Sequence, residues 1–294
     1  MELRHLRFFL EVVQRGGFSA AAKALGSTQP TVSKAILQLE HDCGEMLLNR
    51  LPQGVKPTNA GQVVLRRAAA MLAEEESLRA ELGTLRGLET GRLSLGVSPL
   101  GNAAIFAPLI AAFRQRHPGI RIELREEGSH RLEAAVQSGE IEIGTSLSPV
   151  KDDFAWQAVC DEPLVALLPA GHVLARRDHL KLVDLAESPF IFFERGFALN
   201  SLITAACRRR GIELVEAARS GQPDFILALV EAGLGVAVFP QLMVTARERP
   251  AVRAVVLDEK DLRWRLGLIW RKSAPLSPAA QHWLKLVRET APSS

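Results

Sequence analysis

The chain has 294 residues, 47% of them hydrophobic and 23% charged, with a formal net charge of +3. That length is comfortable for two or three domains of an ordinary globular protein, and the small net charge excludes a chain that coats nucleic acid by charge alone. Cys43, Cys160 and Cys207 are scattered, odd in number and without a CxxC. This argues against a disulfide framework and for reduced thiols, with a redox pair of Cys160 and Cys207 as the alternative. No run of 18 uncharged apolar residues occurs, so no membrane span is expected. The amino terminus passes straight into a helical pattern with no export leader, which predicts a cytoplasmic protein.

Met1 to Gly17, with Leu3, Leu6, Phe8, Phe9, Leu10, Val12 and Val13, reads as a helix that covers the helical pair behind it. That pair is Phe18 to Glu40, two short helices joined by a tight turn. The first is expected from about Ser19 to Leu25. Ser19 is a capping residue type, AAAKAL supplies strong helix formers, and Gly26 stops the helix in a left-handed backbone. Thr28 is placed to cap the second helix, and Pro30 fits its first turn. Val32, Ile36 and Leu39, spaced by four and three, share one inward face. Gln29, Thr31, Ser33, Lys34 and Gln38 are left outside. With Pro30 they form a candidate DNA-reading surface, because amide, hydroxyl and ammonium groups at an exposed helix start donate to phosphates and read base edges. LLNRLPQGVKPTNAG then reads as a short two-stranded wing that offers Arg50, Gln53 and Lys56 to phosphates or a minor groove. The plainer alternative is a helical hairpin with a polar outer face. Residues 1–58 carry seven Lys/Arg against five Asp/Glu, a surplus so small that tight binding needs two such heads on one DNA.

Residues 1 to about 65 resemble the winged helix–turn–helix of LysR-type transcriptional regulators. The resemblance is carried by MELRHLRFFLEVVQRGGFSAAAKAL, then TQPTVSKAILQLE, then KPTNAG, and extends more loosely over the whole chain. Leu48 and Leu51 depart from it, standing where many members carry an aromatic and a polar residue.

Thr58 to about Leu88 reads as one long helix. Val64, Met71, Leu78 and Leu85 recur every seven residues, with Ala68 and Leu82 at the fourth-residue offset and Glu75 breaking it. Such a seam predicts a two-helix coiled coil and a homodimer, with packing on its own domain as the alternative. The resemblance implies that this is the linker helix joining two heads, and that the assembly is a homotetramer.

From Gly91 strands alternate with helices, which implies parallel sheet and crossover units. Strands are expected at GRLSLGVSP, Ile120–Glu126, EIEIGTS, PLVALLP, PFIFF, Ile212–Ala217, GVAVFP, Ala254–Leu257 and Arg265–Trp270. Helices are expected at 101–117, 129–138, LVDLAE, 199–210, 223–232 and Pro278 to Glu289. The fold class is therefore a multidomain α+β chain: an N-terminal winged helix–turn–helix (1–58), a long linker helix (59–90) and a two-lobed α/β effector domain (91–294). The resemblance implies that the effector domain has the fold of periplasmic binding proteins, with lobe I at 91–161 and 268–292 and lobe II at 162–267.

Ligands of open α/β folds sit beyond the carboxyl ends of strands, near helix starts. That rule selects Ser98, Leu100, Gly101, Asn102, Ser129, Thr145 and Ser146 on one side and Arg195, Phe197 and Gln222 on the other. Hydroxyls and free N–H groups there suit a small anion, which Arg195 pairs and Phe197 covers; helix capping, core packing and surface charge are the plainer roles. The resemblance implies that Ser98, Leu100, Ser129, Thr145 and Phe197 line an inducer cleft. No HExxH, P-loop, GxSxG or paired CxxC occurs, GLGVAV lacks a third glycine, and the histidines show no metal spacing, so no catalytic residue, metal or cofactor is expected. The chain is thus read as a DNA-binding regulator whose partners are double-stranded DNA and a small effector, plus RNA polymerase if it activates. A solute-binding or transport component and a metabolic enzyme are the alternatives.

Overall fold

The computed structural model describes residues 1–51, 54–85, 91–245 and 250–290. The chain divides into two compact units, the first Met1–Gly91 with Gln137–Glu140, the second the remainder.

In the first unit, α1 (Leu3–Arg15) buries Leu6, Phe9 and Val12 at helical spacing and stops at Gly16, whose φ is 70°. Helix α2 spans Phe18–Ala24. It starts one residue before the expected Ser19, because the Gly17 carbonyl already accepts the Ala21 amide at 3.1 Å, and no side chain caps it. Gly26 makes the turn with a φ of 58°. Helix α3 (Gln29–Cys43) is capped by Thr28, whose hydroxyl accepts the Thr31 amide, with Pro30 in the first turn. Val32, Ile36 and Leu39 are all buried, as their spacing predicts.

Strands β1 (Leu48–Leu51) and β2 (Gly54–Pro57) pair antiparallel as the wing. Leu48 is buried in the core of this unit. Buried Glu40 secures the entry to the wing: its Oε1 accepts the amides of Leu47 at 2.8 Å and Leu48 at 3.2 Å. Thr58 caps α4 (Asn59–Leu85) by accepting the Gly61 amide at 3.0 Å. Along α4, Val64, Leu65, Ala68 and Leu72 pack on the unit's own core, and Glu75 pairs with Arg7 at 2.8 Å. The expected seam is therefore split: Val64 and Ala68 face inward, while Met71, Leu78 and Leu82 are exposed. The side chain of Leu85 and residues 86–88 lie outside the described residues.

In the second unit, β3 (Gly91–Val97) leads through a single π-turn, Asn102–Phe106, into α5 (Ala107–Arg116). There follow β4 (Ile120–Glu126), α6 (Ser129–Ser138), β5 (Gly144–Leu147), β6 (Phe154–Pro169), β7 (His179–Leu180) and β8 (Phe190–Phe193). Then come α7 (Ala198–Arg210), β9 (Glu216–Ser220), α8 (Pro223–Glu231), β10 (Ala237–Pro240), α9 (Leu242–Thr245), β11 (Val252–Leu257), β12 (Arg263–Arg271) and α10 (Pro278–Thr290).

Strands β5, β12, β6, β11 and β7 form a continuous sheet in that order, with β10 also paired to β6. The pairs β3–β4 and β8–β9 join through the parallel bridges Leu95–Ile143 and Phe190–Val236. The expected parallel pairing holds for β8–β9, β11–β7 and the bridges, but β6 runs antiparallel to β10, β11 and β12, and β12 to β5. Three local expectations also change. The strand expected at PLVALLP begins nine residues earlier, at Phe154, because its first half is drawn into the β12 ladder. LVDLAE forms only one 3-10 turn, Leu182–Leu185. Ile212 and Leu214 pack on the core as extended chain, and the ladder starts only at Glu216.

Replacing Glu40 tests the wing anchor. Glu40→Ala leaves two amides without their acceptor and is expected to cost about 2–4 kcal/mol in urea unfolding. Glu40→Gln keeps a carbonyl acceptor and should cost less than half as much; equal losses would reject the anchoring role.

Candidate DNA-reading face and effector cleft

The α3 core stripe turns the opposite side of that helix outward. Gln29, Pro30, Thr31, Lys34 and Gln38 are exposed, and Ser33 is half-buried. The Thr28 and Thr31 hydroxyls lie 2.8 Å apart, which ties Thr31 to the cap. The Gln38 amide donates from Nε2 to Asp42 Oδ1 at 2.9 Å, which leaves its second N–H and its carbonyl oxygen available to a base. Asp42 is held below the usual carboxylate range first by the hydrogen bond from the amino-terminal ammonium, then by Gln38. Thr31, Lys34 and Gln38 share a cavity of about 540 Å³ with Arg4, His5 and Phe8 of α1. Arg4, whose guanidinium lies 5.2 Å above the Phe8 ring, is a cation beside this face that the residue pattern did not single out. Lys56 is exposed on β2. Gln53 and the side chain of Arg50 lie outside the described residues.

In the second unit, the loop after β3 and the end of β5 meet. The Ser98 amide donates to Thr145 Oγ1 at 2.9 Å, and the Leu100 amide donates to Ser98 Oγ at 3.4 Å. All three residues are buried. Gly101 has a φ of +93°, and a Cβ there would stand 2.7 Å from the Trp264 ring on β12. The structure thus adds buried Trp264 beneath this loop, from a position 163 residues away in sequence that no local pattern marks. Asn102 donates to Glu126 Oε1 at 2.5 Å.

Ser129 is buried at the start of α6. Beside it, the His130 amide donates to the Gly196 carbonyl at 2.9 Å. A Cβ on Gly128 would stand 3.0 Å from the same oxygen and 3.2 Å from the Phe197 ring, so the β4–α6 loop and the β8–α7 loop touch through backbone. Phe197 is itself buried and stacks on Phe193 at 5.1 Å. It therefore combines the core role with a place at this contact.

Three expected members stand apart. Strand alternation turns Ser146 away from Thr145, and its hydroxyl donates to Glu133 Oε1 at 2.6 Å, with Lys151 3.5 Å from Oε2. Gln222 is exposed and serves the start of α8: its backbone amide donates to Ser220 Oγ at 3.1 Å and its carbonyl accepts the amides of Phe225 and Ile226, both at 3.1 Å. Arg195 is exposed and lines a cavity of about 500 Å³ along α7.

Burial pushes the Cys160 thiol up to about 12, and burial also raises that of Cys207. Both shifts oppose the thiolate that redox chemistry needs. Among the described residues there is no cluster of three His, Cys, Asp or Glu side chains suited to a metal, and no helix long and apolar enough to cross a membrane.

Two family patterns cover the chain. Residues 3–62 match the bacterial regulatory helix-turn-helix protein, lysR family, and residues 86–292 match the LysR substrate binding domain. Over 286 residues the chain is 31% identical to the uncharacterized HTH-type transcriptional regulator YwbI of Bacillus subtilis, covering 97% of this chain and 95% of that one. It is similar in structure to full-length CbnR complexed with its target DNA, with a TM-score of 0.68 and 25% identity over 99% and 100% of the two chains. A full-length OxyR variant from Pseudomonas aeruginosa shares the fold, with a TM-score of 0.77 and 22% identity over 98% of each chain.

The thiol shift predicts that Cys160 resists iodoacetamide at pH 8, where a group of pKa about 12 is only about one part in 10⁴ thiolate. It should label fully once the protein is unfolded. Rapid labelling of the folded protein, read by peptide mass spectrometry, would reject this assignment.

Proposed function

Because this chain belongs to the LysR family of DNA-binding transcriptional regulators, we propose that it reads operator DNA through α3 and answers a small anionic effector held in its second unit. The carrying observation is the α3 surface: a helix with a fully buried inner stripe presents Gln29, Thr31, Lys34 and Gln38 outward from a capped amino terminus. Lys34 and Lys56 meet phosphates; Gln29 and Gln38 read base edges. Pro30 and the Thr28–Thr31 cap hold the helix start rigid, and Arg50 and Gln53 extend the contact along the wing.

The proposed organisation is a head at 1–58, a linker helix at 59–90 and an effector domain at 91–294, with lobes at 91–161 plus 268–292 and at 162–267. Exposed Met71, Leu78 and Leu82 support pairing of two linker helices, which sets two heads on two half-sites. The proposed assembly is a homodimer or homotetramer in the cytoplasm, with RNA polymerase as a further partner if the output is activation. The effector site centres on Ser98, Leu100, Thr145, Ser129 and Phe197. An effector acts here only by favouring one arrangement of the domain over another, which changes the spacing of the heads.

The test of DNA reading is a retardation assay on DNA from upstream of the gene, across a salt series. Lys34→Ala should weaken binding to every sequence and lower the salt slope by about one. Gln29→Ala should cost about 1–3 kcal/mol on the specific site and little on random DNA. Equal loss on both would reject the role of Gln29, and no specific binding by the parent protein would reject the whole reading.

For the effector, a thermal-shift screen of small carboxylates should give a hit. At 100 times its dissociation constant such a ligand adds about 2.7 kcal/mol of stability. A hit that survives both Ser98→Ala and Thr145→Val would place the effector elsewhere.

A further inference from the structure

The last turn of α3 carries a carboxylate that two physical effects oppose. Asp42 lies one residue before the helix ends at Cys43, the end whose dipole disfavours an anion. It also lines the cavity of about 540 Å³ that Thr31, Lys34 and Gln38 share, on the face proposed to meet phosphates, where a negative charge lowers affinity. A neutral or basic residue would serve both the helix and the phosphate contact better.

What the carboxylate does is hold Gln38. Across one helical turn, Gln38 Nε2 donates to Asp42 Oδ1 at 2.9 Å. The other oxygen, Oδ2, takes the amino-terminal ammonium at 2.8 Å, and the Asp42 side chain is only 22% exposed. Asp42 is thus an anchor engaged on both oxygens. A carboxylate only accepts hydrogen bonds, so the NH2 end of Gln38 must face it and the carbonyl end must face away. That fixes an orientation which an isolated amide leaves open to a flip. Gln38 is exposed, one turn beyond Lys34 on the same face. It keeps one N–H and one carbonyl oxygen for DNA, the pair that matches N7 and N6 of adenine in the major groove. A flipped amide would offer the same two groups in exchanged positions.

We propose that Asp42 is a positioning residue for sequence reading: it locks the Gln38 amide so that α3 selects an A·T pair at one position of each half-site. Asp42 touches no base in this role, which rests on α3 as the reading helix. Without the anchor, Gln38 samples both amide orientations and the rotamers of a long exposed side chain, and its discrimination falls.

The test is binding-site selection by the full-length protein from a randomised DNA pool, read by sequencing, for the parent and for Gln38→Ala, Gln29→Ala, Asp42→Ala and Asp42→Glu. The parent should select a motif with an A·T column that Gln38→Ala flattens while the other columns stay. Asp42→Ala should lower the preference in that same column by about fivefold or more. Asp42→Glu keeps a group that only accepts and should retain most of the preference. Asp42→Ala should also bind random DNA more tightly, since a negative charge has left the face. Tighter binding with the column intact would reduce Asp42 to its charge and overturn the proposal. Equal weakening of every column would mark a purely structural role and overturn it too, as would equal loss of the A·T preference in Asp42→Ala and Asp42→Glu. A Gln38→Ala motif identical to the parent's overturns it as well; α3 stands as the reading helix if Gln29→Ala still alters a column, and falls with the proposal if neither does.

Discussion

The second unit depends on one antiparallel ladder. Strand β6 pairs with β12 from Phe154↔Arg271 to Pro163↔Arg263, and its remaining length pairs with β10 and β11. It is the one strand shared by both parts of the sheet path, so its register positions everything attached to either part. A slip of one residue would exchange the faces of the whole strand. The register shifts between Leu266 and Gly267, and the space a Gly267 side chain would need is filled by the Trp156 ring, 2.4 Å from an ideal Cβ. Three residues before that glycine, Trp264 supports the loop of Ser98–Asn102 through Gly101. The ladder and the candidate cleft are thus one mechanical piece.

The first unit solves a different problem, which is how to hold polar groups outward on a short helix without letting it rotate. Val32, Ile36 and Leu39 fix its azimuth, and Glu40 fixes its far end to the wing through two amides. Burial of a carboxylate is costly unless it is fully engaged, which makes this tie specific to one register of helix and strand. The wing is braced again where the Val55 amide donates to the Gly16 carbonyl at 3.1 Å, directly at the α1–α2 turn.

The head was legible because its signals are local. Thr28, Pro30, Gly26 and a clean apolar period each act within one or two turns, and the structure uses all of them. Ser19 misled because capping preference is statistical, and the backbone found its first helical bond one residue earlier. Strand β6 was half legible: Leu164–Leu168 form a continuous buried run, but the stretch before them mixes buried and half-buried positions and shows its ladder only once β12 is present. In the candidate site, Ser98 and Thr145 could be found from their places at strand ends. The place of Trp264 and the Gly128–Gly196 approach arise from contacts between distant segments, which no period in the sequence carries.

The meeting of the β4–α6 and β8–α7 loops has a consequence for how such a protein can diversify. The approach is set by a glycine α-carbon against a glycine carbonyl and by one backbone hydrogen bond, with the Phe197 ring packed beside them. Positions beside this contact whose side chains do not enter it can therefore vary in chemistry without moving the backbone approach. Side-chain chemistry around the contact and backbone spacing across it become separable traits: drift can retune the first while two glycines hold the second constant.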